Sequence, residues 1–258
     1  MGAATARLLT ERHGWHAGTV ADDRQHSGLL SNAELERSGV VANCAMNRVR
    51  QLAGVNSYTR ELGFNPLGFL TSRLDAQPPS LTAGWLDLCC GTGRALVQAG
   101  AQLASIGLAE RAVLAGVDLA GMFDPVPASV PVRLVTASVL AWEPGQAFDL
   151  ITCVHGLHYI GDKLAVLARA ATWLTPAGLL VADLDLASIR LAGGEPAARR
   201  LAARLRAAGF SYSSRRHRIT RTGPADVHLP YSYLGADDQA GPGYTGQDAV
   251  NSHYAETA

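Results

Sequence analysis

Three groups of residues along the chain have the types and spacing to do chemistry. The first is Gly91-Thr92-Gly93, where two glycines permit a sharp turn and let a ligand approach backbone amides at a helix start. The second is Asp118, 27 residues beyond Gly91, whose two carboxylate oxygens can accept from both hydroxyls of a ribose. The third is His155 with His158, either of which is suited to act as a general base toward a hydroxyl or an amine. The competing reading for each histidine is a packed or capping side chain. A glycine turn followed by an acid points to a nucleoside-bearing ligand. The dinucleotide fingerprint needs another glycine three residues after the second, and position 96 is Leu, which disfavours NAD.

These groups need elements to position them. Short apolar runs at 85–90, 112–118, 132–135, 148–154 and 179–184 read as buried strands. Between and after them lie helical patterns, one capped by Asp162 and one opening near Glu195-Pro196 and stopping at Gly209. Alternation of buried strands with helices defines an α/β parallel sheet. In such a sheet ligands bind beyond the carboxyl ends of the strands, and all three groups fall there. The 27-residue separation exceeds the roughly 20 usual between glycine turn and acid, so an extended first helix or loop is expected to absorb it.

Before the sheet, residues 1–39 read as a loose, partly flexible arm. Residues 40–80 read as a helical cap or lid, with Val41, Ala45, Val49 and Leu52 on one face and Asn43, Asn47 and Arg50 on another. Residues 81–236 form the main domain. Within it, 210–234 alternates as an antiparallel edge pair would, and Tyr231 and Tyr233 belong to that pair. Residues 237–258 read as a flexible tail. The run Arg215-Arg216-His217-Arg218 reads as a solvated loop or strand.

The motifs Asp87-Leu88-Cys89-Cys90-Gly91-Thr92-Gly93, Gly116-Val117-Asp118-Leu119-Ala120-Gly121-Met122 and Phe148-Asp149 through Tyr159, in that order, resemble the class I S-adenosylmethionine-dependent methyltransferases over about residues 84–186. The resemblance implies a Rossmann-like, doubly wound, mostly parallel seven-stranded sheet with an antiparallel edge strand, here preceded by the helical cap. It implies S-adenosyl-L-methionine as cofactor. Asp87, with Cys89, Gly91 and Gly93, matches the methionine-holding loop, and Asp118 matches the ribose-binding acid. Leu119 and Met122 match positions that pack on adenine. Ser138 and Val139 lie in the loop after the third strand, where many relatives carry an acid that meets the adenine amine; that acid is absent, and Ser138 or a backbone group would substitute. Cys153 matches the fourth strand end near the methionine portion. His155 and His158 are the catalytic candidates, and Asn47, Tyr58, Tyr159 and Tyr231 the substrate-binding ones.

Composition bounds the rest. Lys plus Arg and Asp plus Glu are 22 each, so the net charge is zero and the broad attraction behind non-specific nucleic-acid binding is missing. The four cysteines have no zinc spacing and read as free thiols, and no metal is expected. No stretch has the roughly 18 consecutive apolar residues of a membrane span, and the N-terminus has no signal-like apolar core, so a cytoplasmic enzyme of small-molecule metabolism is expected. A homodimer is left open. The expected function is methyl transfer from S-adenosylmethionine to an O, N or C nucleophile of a small molecule. The alternatives are methylation of protein or RNA and a non-catalytic cofactor-binding regulator.

Overall fold

The computed structural model describes residues 28–39, 49–192 and 197–257. The arm up to residue 27, the part of the expected cap helix from Val40 that carries Asn43 and Asn47, and the opening at Glu195-Pro196 of the helix expected to run to Gly209 lie outside the described residues.

The central layer contains β1 (Ala83–Leu88), β2 (Ala112–Asp118), β3 (Val132–Thr136), β4 (Phe148–Cys153) and β5 (Leu174–Asp183). These pair in parallel, in the order β3-β2-β1-β4-β5. A second, small sheet begins with β6 (Ile189–Leu191). The chain returns to the main sheet through β7 (Ser211–Ser213) and β8 (Arg218–Thr222), so that β8 runs antiparallel beside β5 and the three-residue β7 closes that edge. The result is the expected seven-stranded, mostly parallel sheet, with its antiparallel strand at the β5 flank.

Side chains alternate between the two faces, as the pleat requires. Trp85 of β1 packs on one face with Leu70, Leu74, Leu96 and Leu103. Leu86 and Leu88 face the other, with Leu164, Leu167, Leu201 and Leu205. The first face is covered by α3 (Pro66–Ala76) and α4 (Arg94–Ser105), the second by α5 (Lys163–Thr172) and α6 (Ala198–Ala207), while α1 (Asn32–Leu35) and α2 (Tyr58–Leu62) precede the sheet. α4 together with the connection over 106–111 spans the long separation of Gly91 from Asp118.

Two expectations on domain organisation are corrected. Residues 66–76, placed in the cap, are a helix of the sheet itself, because Leu67, Leu70 and Leu74 form an apolar stripe that is buried against β1 and β4. The expected flexible tail is also ordered: β10 (Asn251–Glu256) lies between β6 and β9 (Tyr231–Asp237) in the small sheet. Lys163 is fully buried and its Nζ donates to Val250 O at 2.8 Å and Ser252 Oγ at 2.6 Å, while Tyr254 Oη donates to Asp162 Oδ1 at 3.0 Å and accepts from Leu164 N at 3.1 Å. Buried polar groups that find partners in the C-terminal strand hold it in place. Gly235 and Asp238 open that last segment, and their turn propensity gave no hint of the strand beyond it.

Candidate functional site

The sheet reverses its order of connection between β1 and β4, and beyond the carboxyl ends of these strands lies the usual crevice of an open α/β fold. After β1 the chain turns through left-handed backbone at Cys89 (φ 57°), Gly91 (φ 60°) and Gly93 (φ 74°), and α4 starts at once. A side chain at Gly93 would press its Cβ within 2.6 Å of Leu134, so close packing of α4 on β3 demands glycine there as much as the backbone does. Asp118 closes the turn. Its Oδ2 accepts from Gly91 N at 3.0 Å and its Oδ1 from Ala120 N at 2.9 Å. A carboxylate oxygen has two acceptor sites, so both oxygens retain capacity for a ligand's hydroxyls.

Asp118 sits at the mouth of a cavity of about 290 Å³. Cys89, Leu119, Met122, Ser138, Val139 and Tyr159 line it as well, which brings seven of the sequence-predicted residues to one place. Met122 is 62% exposed, an unusual setting for a large apolar side chain, and it borders this slot. The floor comes close because position 156 is glycine: a Cβ there would lie 2.4 Å from Cys89 Cβ and 2.8 Å from Cys153 Sγ. A slot with apolar walls, a carboxylate fixed by two amides and a floor without side chain fits a nucleoside such as that of S-adenosylmethionine.

Four of the other predicted residues are placed differently from expectation. Asp87 is buried behind the loop, with Oδ2 accepting from Tyr58 Oη and Oδ1 from Thr152 Oγ1, each at 2.5 Å. Burial pushes its pKa up to about 7 against the pull of those two hydroxyls. Its carboxyl group therefore ties β1 to α2 and β4. Tyr58 is 3% exposed and gives its hydroxyl to Asp87, so it supports that acid and is not part of an open substrate wall. Cys153 is buried under Gly156 and not in the cavity lining. Tyr231 lies on β9 in the small sheet with its ring edge-on to Tyr254 at 6.4 Å, because β9 pairs with β10 and not with the main sheet. Asn47 lies outside the described residues. Cys89, Cys90 and Cys153 are free thiols.

Past Gly156 is a second polar cluster. His155 has left-handed backbone (φ 59°), rare outside glycine and often found where function outweighs strain. Its Nε2 lies 3.4 Å from Glu61 Oε2 and 3.9 Å from Asp183 Oδ2, and its Nδ1 lies 3.4 Å from the Nε2 of His158. Burial first, then the neighbouring His155, lowers the His158 pKa to about 3, so His158 stays neutral. The hydrogen bond from His155 holds the Glu61 carboxyl down at about 2. Tyr244 covers the cluster, stacked on His217 at 4.0 Å and edge-on to His158 at 5.2 Å.

Glu61, His155 and Asp183 offer ligand atoms within 4.8 Å of one another, the spacing of a cation site. Each carboxylate nevertheless already faces a guanidinium: Arg50 Nη1 is 2.8 Å from Glu61 Oε1, and Arg218 Nε is 3.8 Å from Asp183 Oδ1. Each carboxylate thus lies between a guanidinium and the His155 ring. Sequence reasoning missed Glu61, Asp183, Arg218 and Tyr244. Asp183 had a signal, its place at the end of the fifth strand. Arg218, read as solvated, is largely buried and donates to the carbonyls of Glu61 and Leu62.

Fold and site together define a Rossmann-like, nucleoside-accommodating domain. A family profile described as "Methyltransferase domain" matches residues 66–221. The chain belongs to that methyltransferase family. It is 29% identical over 157 residues to the ubiquinone biosynthesis O-methyltransferase of Xanthomonas oryzae pv. oryzae, covering 60% of this chain and 61% of that one. It is 34% identical over 96 residues to the protein of the same name from Bordetella avium, covering 36% of this chain and 39% of that one. The chain thus spans about three fifths of the Xanthomonas relative's length. A solved structure of CalS10, an amino pentose methyltransferase from Micromonospora echinaspora with S-adenosylmethionine bound, matches with 26% identity over 48% of this chain and 52% of that one, at a TM-score of 0.33. Among the described residues no helix is long and apolar enough to cross a membrane.

Proposed function

We propose that the protein transfers a methyl group from S-adenosylmethionine to a nucleophile of a small molecule. The observation that carries this is Asp118, clamped by the amides of Gly91 and Ala120 at the mouth of an apolar slot. Asp118 takes the two ribose hydroxyls, Leu119 and Met122 pack on the base, and Gly91 and Gly93 give room for the amino-acid portion, with Asp87 anchoring the end of β1 to Tyr58 and Thr152. The cofactor supplies a methyl group on a positively charged sulfur. His155 takes the proton that the acceptor loses, and Glu61 and Asp183, both close to its Nε2, stabilise the imidazolium. Tyr159 and Tyr244 exclude water on the acceptor side, where alignment of the reacting groups contributes most to the rate. The curated relatives are named O-methyltransferases, which supports a small-molecule acceptor.

Titration calorimetry tests this reading. S-adenosylhomocysteine and S-adenosylmethionine should bind one per chain and NAD should not. Asp118→Ala removes charge-assisted acceptors of about 1.5–3 kcal/mol each, so affinity should fall at least about tenfold while the variant remains folded. Binding of NAD with no response to either adenosyl ligand overturns the reading.

A further inference from the structure

Two acids line the cavity. Asp118 has a role in the proposed function; Glu36 has none, and it comes from the segment ahead of the sheet. It is the C-terminal cap of α1, and this short helix is firmly held. Ser31 and Glu34 form a reciprocal capping box at its start. Leu35 is buried with Ala236 and Val250, the backbone of Leu30 exchanges two hydrogen bonds with Ala236, and Asn32 Oδ1 accepts from Asp162 N at 3.1 Å. The carboxylate of Glu36 is thereby fixed relative to the sheet, although its residue lies more than eighty positions before Asp118.

The hydrogen bonding at Ser138 sets its orientation. Leu140 N donates to Ser138 Oγ at 3.2 Å, and Ser138 Oγ donates to Glu36 Oε1 at 2.5 Å. The loop after β3 carries no acid of its own in 137–139, so the hydroxyl of Ser138 draws in a carboxylate from the N-terminal segment. Glu36 Oε2 takes no partner among the described residues. Around it are the apolar groups Leu119, Met122, Val139 and Leu140. Glu36 therefore shares with Asp118 a cavity whose other walls are largely apolar.

We propose that Glu36 reads the purine: its carboxylate accepts from the 6-amino group of adenine and repels a 6-oxo group, so the N-terminal segment confers base specificity on the cofactor site. This rests on the function proposed above and adds to it a residue that acts on binding alone. A carboxylate has no donor, whereas the amide of glutamine has both an acceptor and two donors and can serve either edge. Sites built around one hydrogen-bond sense discriminate strongly, because the wrong ligand leaves a buried group unpaired.

The test is calorimetry with S-adenosylhomocysteine and with S-inosylhomocysteine, its 6-oxo counterpart, on the wild type, Glu36→Gln and Ser138→Ala. The wild type should prefer the adenosyl ligand by at least about tenfold. In Glu36→Gln the preference should collapse to within about threefold, the inosyl ligand binding better than it does to the wild type. Ser138→Ala, which keeps the acid but frees its orientation, should weaken the adenosyl ligand several-fold and leave the inosyl ligand unchanged; it carries the test if Glu36→Gln does not fold. An adenosyl-to-inosyl ratio equal to wild type in the folded variants overturns the role of Glu36 and leaves the proposed function standing. Failure of the wild type to bind S-adenosylhomocysteine overturns both.

Discussion

At the scale of single residues, the proposed chemistry rests on His155. The strand before it is buried and parallel, and the residue itself turns left-handed, with its ring beside Glu61 and Asp183. Asparagine tolerates left-handed backbone well, so His155→Asn removes the imidazole with little strain. A general base typically contributes 10²–10⁴-fold, so kcat should drop at least about a hundredfold. Affinity for S-adenosylhomocysteine should stay within about threefold of wild type, since the histidine lies past Gly156 and outside the cofactor slot. Single-turnover kinetics with a competent acceptor, alongside calorimetry, separates the two effects; equal loss of binding and turnover would assign His155 to the architecture of the slot.

At the scale of elements, α5 and β10 depend on one buried lysine. Burial lowers the pKa of Lys163 to about 7, against roughly 10.4 in an unfolded chain. Between those values the unfolded chain holds a proton that the folded chain has released. Stability therefore rises with pH across about 7 to 10, and the benefit is lost as pH falls through 7. Lys163→Met keeps the length of the side chain and deletes the titration. Urea denaturation at pH 7 and pH 9.5 should show the wild type gaining stability relative to Lys163→Met at the higher pH. Parallel pH dependence in the two proteins would show that the lysine keeps an ordinary pKa in the fold.

At the scale of the molecule, the two ends of the described chain meet. Leu30 pairs with Ala236, Leu35 packs on Val250, and the 238–250 connection places Tyr244 over the histidines and Gln247 on the hydroxyl of Tyr159. Segments from both ends thus pack together beside the histidines and Tyr159. Amides that pair β10 with β6 and β9 should exchange with solvent as slowly as those of β5, because opening them requires exposing Tyr254 and breaking the bonds of Lys163 to Val250 and Ser252. Hydrogen exchange read by mass spectrometry over 251–256 checks this, and immediate exchange there would restore the flexible tail.

The sequence by itself determined the strands that carry the glycine turn, Asp118 and His155, because each signal is local: an apolar run, a residue without a side chain, an acid at a strand end. Asp118, Leu119 and Met122 were legible for the same reason, lying consecutively along one turn. Only the tertiary structure decided what these residues face. Glu36 reaches Ser138 across 102 positions, Tyr58 reaches Asp87 across 29, and Lys163 finds Ser252 across 89. Periodicity gives the face on which a side chain lies but not its partner on another element. The same limit hid β10, whose Ser252 and Tyr254 are buried because Lys163 and Asp162 wait for them on a distant helix. A buried polar group is stable only where its partner stands, and that place is fixed by packing of the whole chain.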